Sequence, residues 1–176
     1  MLIRLKKLDA GVVLACHRDP AAGGDVAVQR TGHHGFFALH DLLHYAAETT
    51  LGYDQAFFGL MAAGWSFDNF TRRDDPNHRP LPHQAVIAEH LVGTLTRHLL
   101  PAADPELLSL LTGDINADLA SSMSRSSIAP PTLTAAQVAA IASQFSDLAA
   151  QWARVPVGGH MELTFPSPSI AGPRSG

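Results

Sequence analysis

Residues 36–52 have the sequence FFALHDLLHYAAETTLG, and the change of hydrophobic period that begins here decides the fold class. The apolar side chains recur every three or four positions, which predicts an amphipathic helix. The residues of this stripe are Leu39, Leu42, Leu43, Ala46 and Thr50. Gly52 should end the helix, because glycine readily takes the left-handed conformation found just after a helix.

The residues before this helix have the period of two that is typical of strands. Ile3 and Leu5 alternate with charged residues, and turn-forming residues at 9–11 lead into a second apolar run at 12–16. A loop rich in glycine and proline then leads to a third strand at 26–29. We therefore predict an N-terminal antiparallel meander of three strands.

Helical patterns fill most of the chain after residue 52. Asp54 is predicted to cap a short helix ending at Gly64, and Pro82 to begin a longer one. Thr134 and Gln137 form a capping box for a final helix. The apolar stripes of the last two helices are Val86, Ile87, Leu91, Leu95 and Leu99, and then Val138, Ile141, Ala142, Phe145, Leu148 and Trp152.

A last strand, Met161 to Phe165, follows the turn at Gly158 and Gly159 and is expected to return to the meander. We therefore predict an α+β fold in which a small antiparallel β-sheet, the meander plus this strand, packs against four to six helices. Residues 1–166 should form a single globular domain. Residues 167–176, rich in proline, serine and glycine, should be a disordered tail.

Composition excludes several classes of function. The 12 basic and 16 acidic residues give a formal net charge of −4 without a basic stripe, so we expect no nucleic-acid partner. The apolar run at 12–16 is too short for a signal peptide, and no stretch has the roughly 20 apolar residues of a membrane span. The single Cys16 suits a reducing compartment. We expect a soluble, cytoplasmic protein.

The helix predicted at 36–52 also carries a cluster of chemically active side chains. His40, His44 and Glu48 follow one another at about 40° around the helix, beside the apolar stripe, and Asp41 lies next to them. Two histidines four residues apart can converge on one divalent metal ion. Glu48 is about 12 Å along the helix from His40, too far to bind the same ion, but it can accept a hydrogen bond from His44.

A metal held by His40 and His44 needs a third ligand from elsewhere in the chain. The sequence leaves this choice open. The candidates are His17, His33, His34, His83, His90 and Glu89.

The stretch FFALHDLLHYAAETTLGYDQAFFGLMAAGW resembles the hallmark of a family of small, uncharacterised bacterial proteins, over about the N-terminal third of the chain. That resemblance brings no established activity with it. The segment from His40 to His44 also resembles in part the HExxH helix of zinc metalloproteases, with Asp41 in place of the glutamate base. It is similar in part to the HDxxH motif of a ubiquinone-biosynthesis family, but Ala56 stands where that family has a glutamate.

The leading hypothesis is a metal-dependent, hydrolase-like enzyme acting on a small molecule. His40 and His44 would hold the divalent metal, zinc or a similar ion, and Asp41 or Glu48 would orient a ligand or move a proton. The alternative is a non-enzymatic binding or assembly module in which the same four residues form a hydrogen-bonded polar patch at a pocket or dimer contact. Oligomeric state stays open, with a homo-oligomer compatible with either hypothesis.

Overall fold

The computed structural model of the protein describes residues 1–18, 24, 26–31, 34–70, 79–99 and 110–166. The strands in these ranges are β1 (Leu2–Leu8), β2 (Gly11–His17), β3 (Val26–Thr31) and β4 (His160–Thr164). The α-helices are α1 (His34–Leu51), α2 (Phe57–Ala62), α3 (His83–Leu99), α4 (Thr112–Ser122) and α5 (Ala135–Arg154). A short 3-10 helix spans Phe67–Phe70.

The four strands form one antiparallel sheet in the order β3-β2-β1-β4. The C-terminal strand pairs with β1, Met161 lying opposite Leu5 and Leu163 opposite Ile3. The strand ends at Thr164, and Phe165 adds a backbone hydrogen bond to Met1. The predicted α+β fold and the predicted return of the last strand to the meander are confirmed.

One face of the sheet is buried beneath the helices. Ile3, Leu5, Val12, Leu14 and Cys16 are almost fully buried and share this face because side chains alternate along a strand. The pairing of β2 with β3 extends this face to the sheet edge. There, polar residues take the place of the apolar ones, with Gln29 opposite Leu14 and Thr31 opposite Val12.

Helix α1 packs between the sheet and the other helices, with α5 and α3 as its main neighbours. Its buried face contains Ala38, Leu42, Leu43, Ala46 and Ala47. The helix ends at Leu51, and Gly52 has a φ of 68°, so the predicted glycine stop is confirmed. Because α1 is covered on several sides, polar residues at the edge of its apolar stripe are carried into the interior.

The short helix α2 is capped differently from the prediction. Its first flanking residue is Ala56, which has no side-chain capping bond, so the prediction that Asp54 caps it was wrong. A residue of α1 takes that role, because Oε2 of Glu48 accepts a 2.9 Å hydrogen bond from the backbone N–H of Phe58. The cap comes from tertiary packing and not from local sequence.

Helices α3 and α5 agree with their sequence signals. Thr134 and Gln137 form the predicted capping box at the start of α5. Leu91, Leu95 and Leu99 are buried along α3. The predicted tail at 167–176 lies outside the described residues, so the domain boundary at residue 166 stays a prediction. Within the described ranges, no helix is long and apolar enough to cross a membrane.

Candidate metal site and pocket

His40 and His44 stand one turn apart on α1 with their rings in contact. The ring centroids are 4.7 Å apart and nearly edge to face. His44 is 2% exposed, whereas His40 is nearer the surface, where its ring stacks on Phe36. The regular helix between them brings the two imidazoles together, as the four-residue spacing predicts.

The buried side of His44 is fixed by Glu48. Nδ1 of His44 lies 3.2 Å from Oε1 of Glu48, one turn further along α1, and the Glu48 side chain is 0% exposed. The second carboxylate oxygen of Glu48 is occupied by the N–H of Phe58. Glu48 therefore connects the orientation of the His44 ring to the N-terminus of α2.

Burial governs the protonation of this pair. It raises the pKa of Glu48 to about 8, although the backbone N–H groups at the start of α2 oppose the shift. Burial likewise lowers the pKa of His44 to about 4. An imidazole with so low a pKa is uncharged at neutral pH, which is the form that binds a metal ion.

The other nitrogen of His44 has no hydrogen-bond partner among the described residues. This atom, Nε2, is buried, and the nearest carboxylate oxygen is Oε1 of Glu89 at 3.6 Å, beyond hydrogen-bond distance. Buried polar atoms are nearly always paired in native structures, so an unpaired one needs a physical explanation.

Glu89 reaches the histidine pair from α3. Nitrogen atoms of His40 and His44 and a carboxylate oxygen of Glu89 all lie within 4.8 Å of one another. Among the third-ligand candidates in the described ranges, Glu89 is the one that joins this group. His17, His83 and His90 do not belong to it, and His33 and the side chain of His34 lie outside the described part of the chain.

Asp41 lies beside His40 at the rim of the cluster. Its Oδ1 is 3.7 Å from Nδ1 of His40, and its side chain is 16% exposed. Interaction with the Asp41 carboxylate raises the pKa of His40 above its ordinary value; burial opposes this rise, and the charge of Glu89 adds to it. The two histidines thus have pKa shifts of opposite sign.

A pocket with a volume of about 170 Å³ opens at this cluster. It is lined by Gln29, Thr31, Phe37, His40, Asp41, His44, Phe57 and Glu89. One wall comes from β3 and the others from three helices. Glu48 does not line the pocket, because it lies behind His44 in the core.

The pocket residues that the sequence did not indicate as functional are Gln29 and Thr31 on β3, together with Phe37 and Phe57. Gln29 and Thr31 show only the alternation of a strand, and no local signal places that strand beside α1. Trp65, Phe67 and Phe70 are not among its lining residues and pack against the hydrophobic core. Phe70 packs against Phe57 at 5.2 Å between ring centroids and supports the pocket from outside.

Comparisons with protein-family models, with curated proteins and with solved structures gave no match. The resemblance of the 36–65 stretch to a bacterial family, and the partial likeness of HDLLH to two metal-binding motifs, therefore stay expectations. The chemical interpretation of the site rests on the geometry of His40, His44, Glu89 and the pocket that they share.

Proposed function

We propose that the protein is a metal-dependent, hydrolase-type enzyme in which His40, His44 and Glu89 hold a divalent cation, zinc or a similar ion. The observation that carries this proposal is the Nε2 atom of His44. It is buried and unpartnered among the described residues, and it belongs to a group of three ligand-type side chains that line one pocket.

The chemistry of the three donors fits a catalytic metal. Two imidazole nitrogens and one carboxylate oxygen are a common set at catalytic zinc sites, where the fourth position remains open to water or substrate. Ligand atoms around a tetrahedral zinc ion are about 3.4 Å apart, somewhat closer than the 4.8 Å limit found here. Oε1 of Glu89 already lies 3.6 Å from Nε2 of His44, on a side chain that is 55% exposed.

Glu48 supports the proposed site through His44. A carboxyl oxygen that accepts the Nδ1–H of a ligating histidine fixes the tautomer with the lone pair on Nε2. The 3.2 Å separation of Nδ1 and Oε1 and the full burial of Glu48 suit this role. We therefore assign Glu48 to positioning His44, and not to contact with the substrate.

Asp41 is the carboxylate placed to move a proton. When bound, the cation would polarise a carbonyl group and acidify a water molecule in the pocket. Asp41 lines the pocket and would take the proton from the attacking water. A new C–O bond forms at the carbonyl carbon and the bond to the leaving nitrogen or oxygen breaks. Asp41 then returns the proton to the leaving group.

The alternative of a non-enzymatic polar patch accounts less well for the same atoms. A hydrogen-bonded patch would pair its buried donors and acceptors. Glu48 and Nδ1 of His44 meet this condition, but Nε2 of His44 does not.

A cytoplasmic location forms part of the proposal, since the single cysteine, Cys16, is buried and forms no disulfide.

Hydrolysis of p-nitrophenyl acetate tests the proposal. Zinc- or manganese-loaded protein should release p-nitrophenol above the background rate, and chelation should abolish this activity. Asp41→Asn should lower kcat by about 100- to 10,000-fold with metal content unchanged. The control is Asp147→Asn, on the exposed side of α5. Activity that survives both chelation and Asp41→Asn would overturn the assignment.

A further inference from the structure

We propose that the pocket recognises a small, uncharged amide or ester through Thr31 and Gln29 of β3. The carbonyl group would be held by these two side chains, and a single planar or branched apolar group would lie between Phe37 and Phe57. The inference rests on the proposed function for the reaction that follows binding. Recognition by the β3 wall itself needs no metal.

The hydroxyl of Thr31 is the first observation. Its Oγ1 atom is buried and has no hydrogen-bond partner among the described residues. Three buried side-chain polar atoms in those ranges lack a partner, and two of them, on Thr31 and His44, line the same pocket. A molecule inside the pocket can therefore satisfy an atom on each wall.

The position of Thr31 explains why the protein does not satisfy it. Thr31 faces the helices from the edge strand, opposite the buried Val12, and its neighbouring inward residues on β2 are apolar. Gln29 follows on the same face of β3, two residues away, and also lines the pocket. Together they place one hydroxyl and one amide, both able to donate and accept, on a single wall.

The size of the pocket limits the ligand to one ring or a short branched chain. A volume of about 170 Å³ is close to the roughly 150 Å³ of an apolar cavity that accommodates benzene. It is well below the roughly 300 to 1,000 Å³ of sites for drug-sized molecules. Phe37 and Phe57 supply the apolar contact surface that such a group requires.

The charges around the pocket favour an uncharged ligand. Its lining includes the carboxylates of Asp41 and Glu89, and none of its lining residues in the described part of the chain is lysine or arginine. A bound dication would be balanced by those two carboxylates. A ligand carboxylate would be repelled by Asp41 and Glu89, whereas an amide or ester carbonyl can accept from Thr31 and Gln29.

Binding of benzamide tests the inference, because it joins one ring to one neutral amide. Its dissociation constant would be measured by ligand-observed NMR with chelator-treated and with zinc-loaded protein. We expect Thr31→Val and Gln29→Ala each to weaken binding about three- to tenfold, the loss typical of one neutral hydrogen bond. Thr164→Val, at an exposed threonine of β4, is the matched control and should bind as the wild type does.

The outcomes separate this inference from the proposed metal site, since zinc binding is measured on the same samples. Zinc binding without benzamide binding, or benzamide binding unaffected by both β3 variants, overturns the inference alone. Benzamide binding that depends on Thr31 in a protein that takes up no zinc supports the recognition wall and defeats the metal proposal. Tighter binding of benzoate than of benzamide to the chelator-treated protein would refute the preference for a neutral ligand.

Discussion

Nδ1 of His44 and Oε1 of Glu48 lie 3.2 Å apart, and neither side chain has more than 2% of its surface exposed. The same glutamate accepts the N–H of Phe58 and so caps α2. One carboxylate thereby fixes the orientation of an imidazole and the start of a helix. The proposed metal site depends on this contact, because it leaves Nε2 of His44 to face the pocket.

Replacing Glu48 by glutamine should weaken metal binding while the protein stays folded. The amide keeps the volume of the carboxylate and an oxygen for the Phe58 N–H, but its NH2 group then faces Nδ1 of His44, where it can donate and not accept. We expect an affinity loss of about 10- to 100-fold, measured by calorimetric titration with zinc. Glu162→Gln, at an exposed glutamate of β4, is the control. Equal affinity in Glu48→Gln and wild type would show that Glu48 does not position His44.

Metal affinity should fall as the pH falls from about 8 to 6, because the proposed ligand His40 and the positioning residue Glu48, whose pKa is about 8, both gain protons in this range. The pKa of His44 is lowered to about 4, so protons compete little at this ring above pH 5 or so. Interaction with Asp41 raises the pKa of His40 above 6.5, so His40 is the first of the two histidines to gain a proton as the medium becomes acidic. Zinc titrations at about pH 8, 7 and 6 should show a steady loss of affinity.

Asp41→Asn is the matched test of that pH dependence. Without the carboxylate, the pKa of His40 should fall, and the loss of zinc affinity should move to lower pH. An affinity that is constant from about pH 8 to 6 in the wild type would contradict a histidine-based site.

Two glycine substitutions should change stability in opposite directions. A Cβ on Gly59 of α2 would clash with the backbone carbonyl of Asp54, so Gly59→Ala should destabilise the protein by about 1 to 3 kcal/mol. A Cβ on Gly93 within α3 would meet nothing within 4 Å. Gly93→Ala should therefore stabilise the protein by about 0.5 to 1 kcal/mol. Urea denaturation measures both, and a stable Gly59→Ala variant would show that α2 is not held tightly against Asp54.

The sequence predicts the features of this fold that arise from local periodicity. Alternation in the N-terminal strands, the 3.6-residue period from Leu39 onward and the glycine stop at Gly52 each reflect interactions within one element. The return of Met161 to the sheet was also predictable, because one more half-buried strand needs an edge to pair with. The spacing of apolar residues along the chain and their need to be buried together predict these strands and helices.

The features that the sequence did not predict depend on contacts between elements. Asp54 has the right chemistry for a cap, yet Glu48 occupies that position because α1 packs against the start of α2. Glu89 was one of six candidates for a third ligand, and only the packing of α3 against α1 brings it to His44. The sequence around Thr31 does not indicate a binding residue. Whether its hydroxyl has a hydrogen-bond partner depends on the residues that pack around it in the fold.

Metal content is the most direct test of the central claim. Protein purified without chelator and without a nickel column should contain near-stoichiometric divalent metal by elemental analysis. His40→Ala or His44→Ala should remove it, and Glu89→Gln should weaken its retention. His98→Ala, at a histidine paired with Asp118 away from the pocket, should leave it unchanged. Added zinc should raise the melting temperature of chelator-treated protein, because a ligand of the folded state stabilises it. Wild-type protein that contains no metal, and whose melting temperature does not rise with zinc, manganese, iron or nickel, would contradict the proposed metal site.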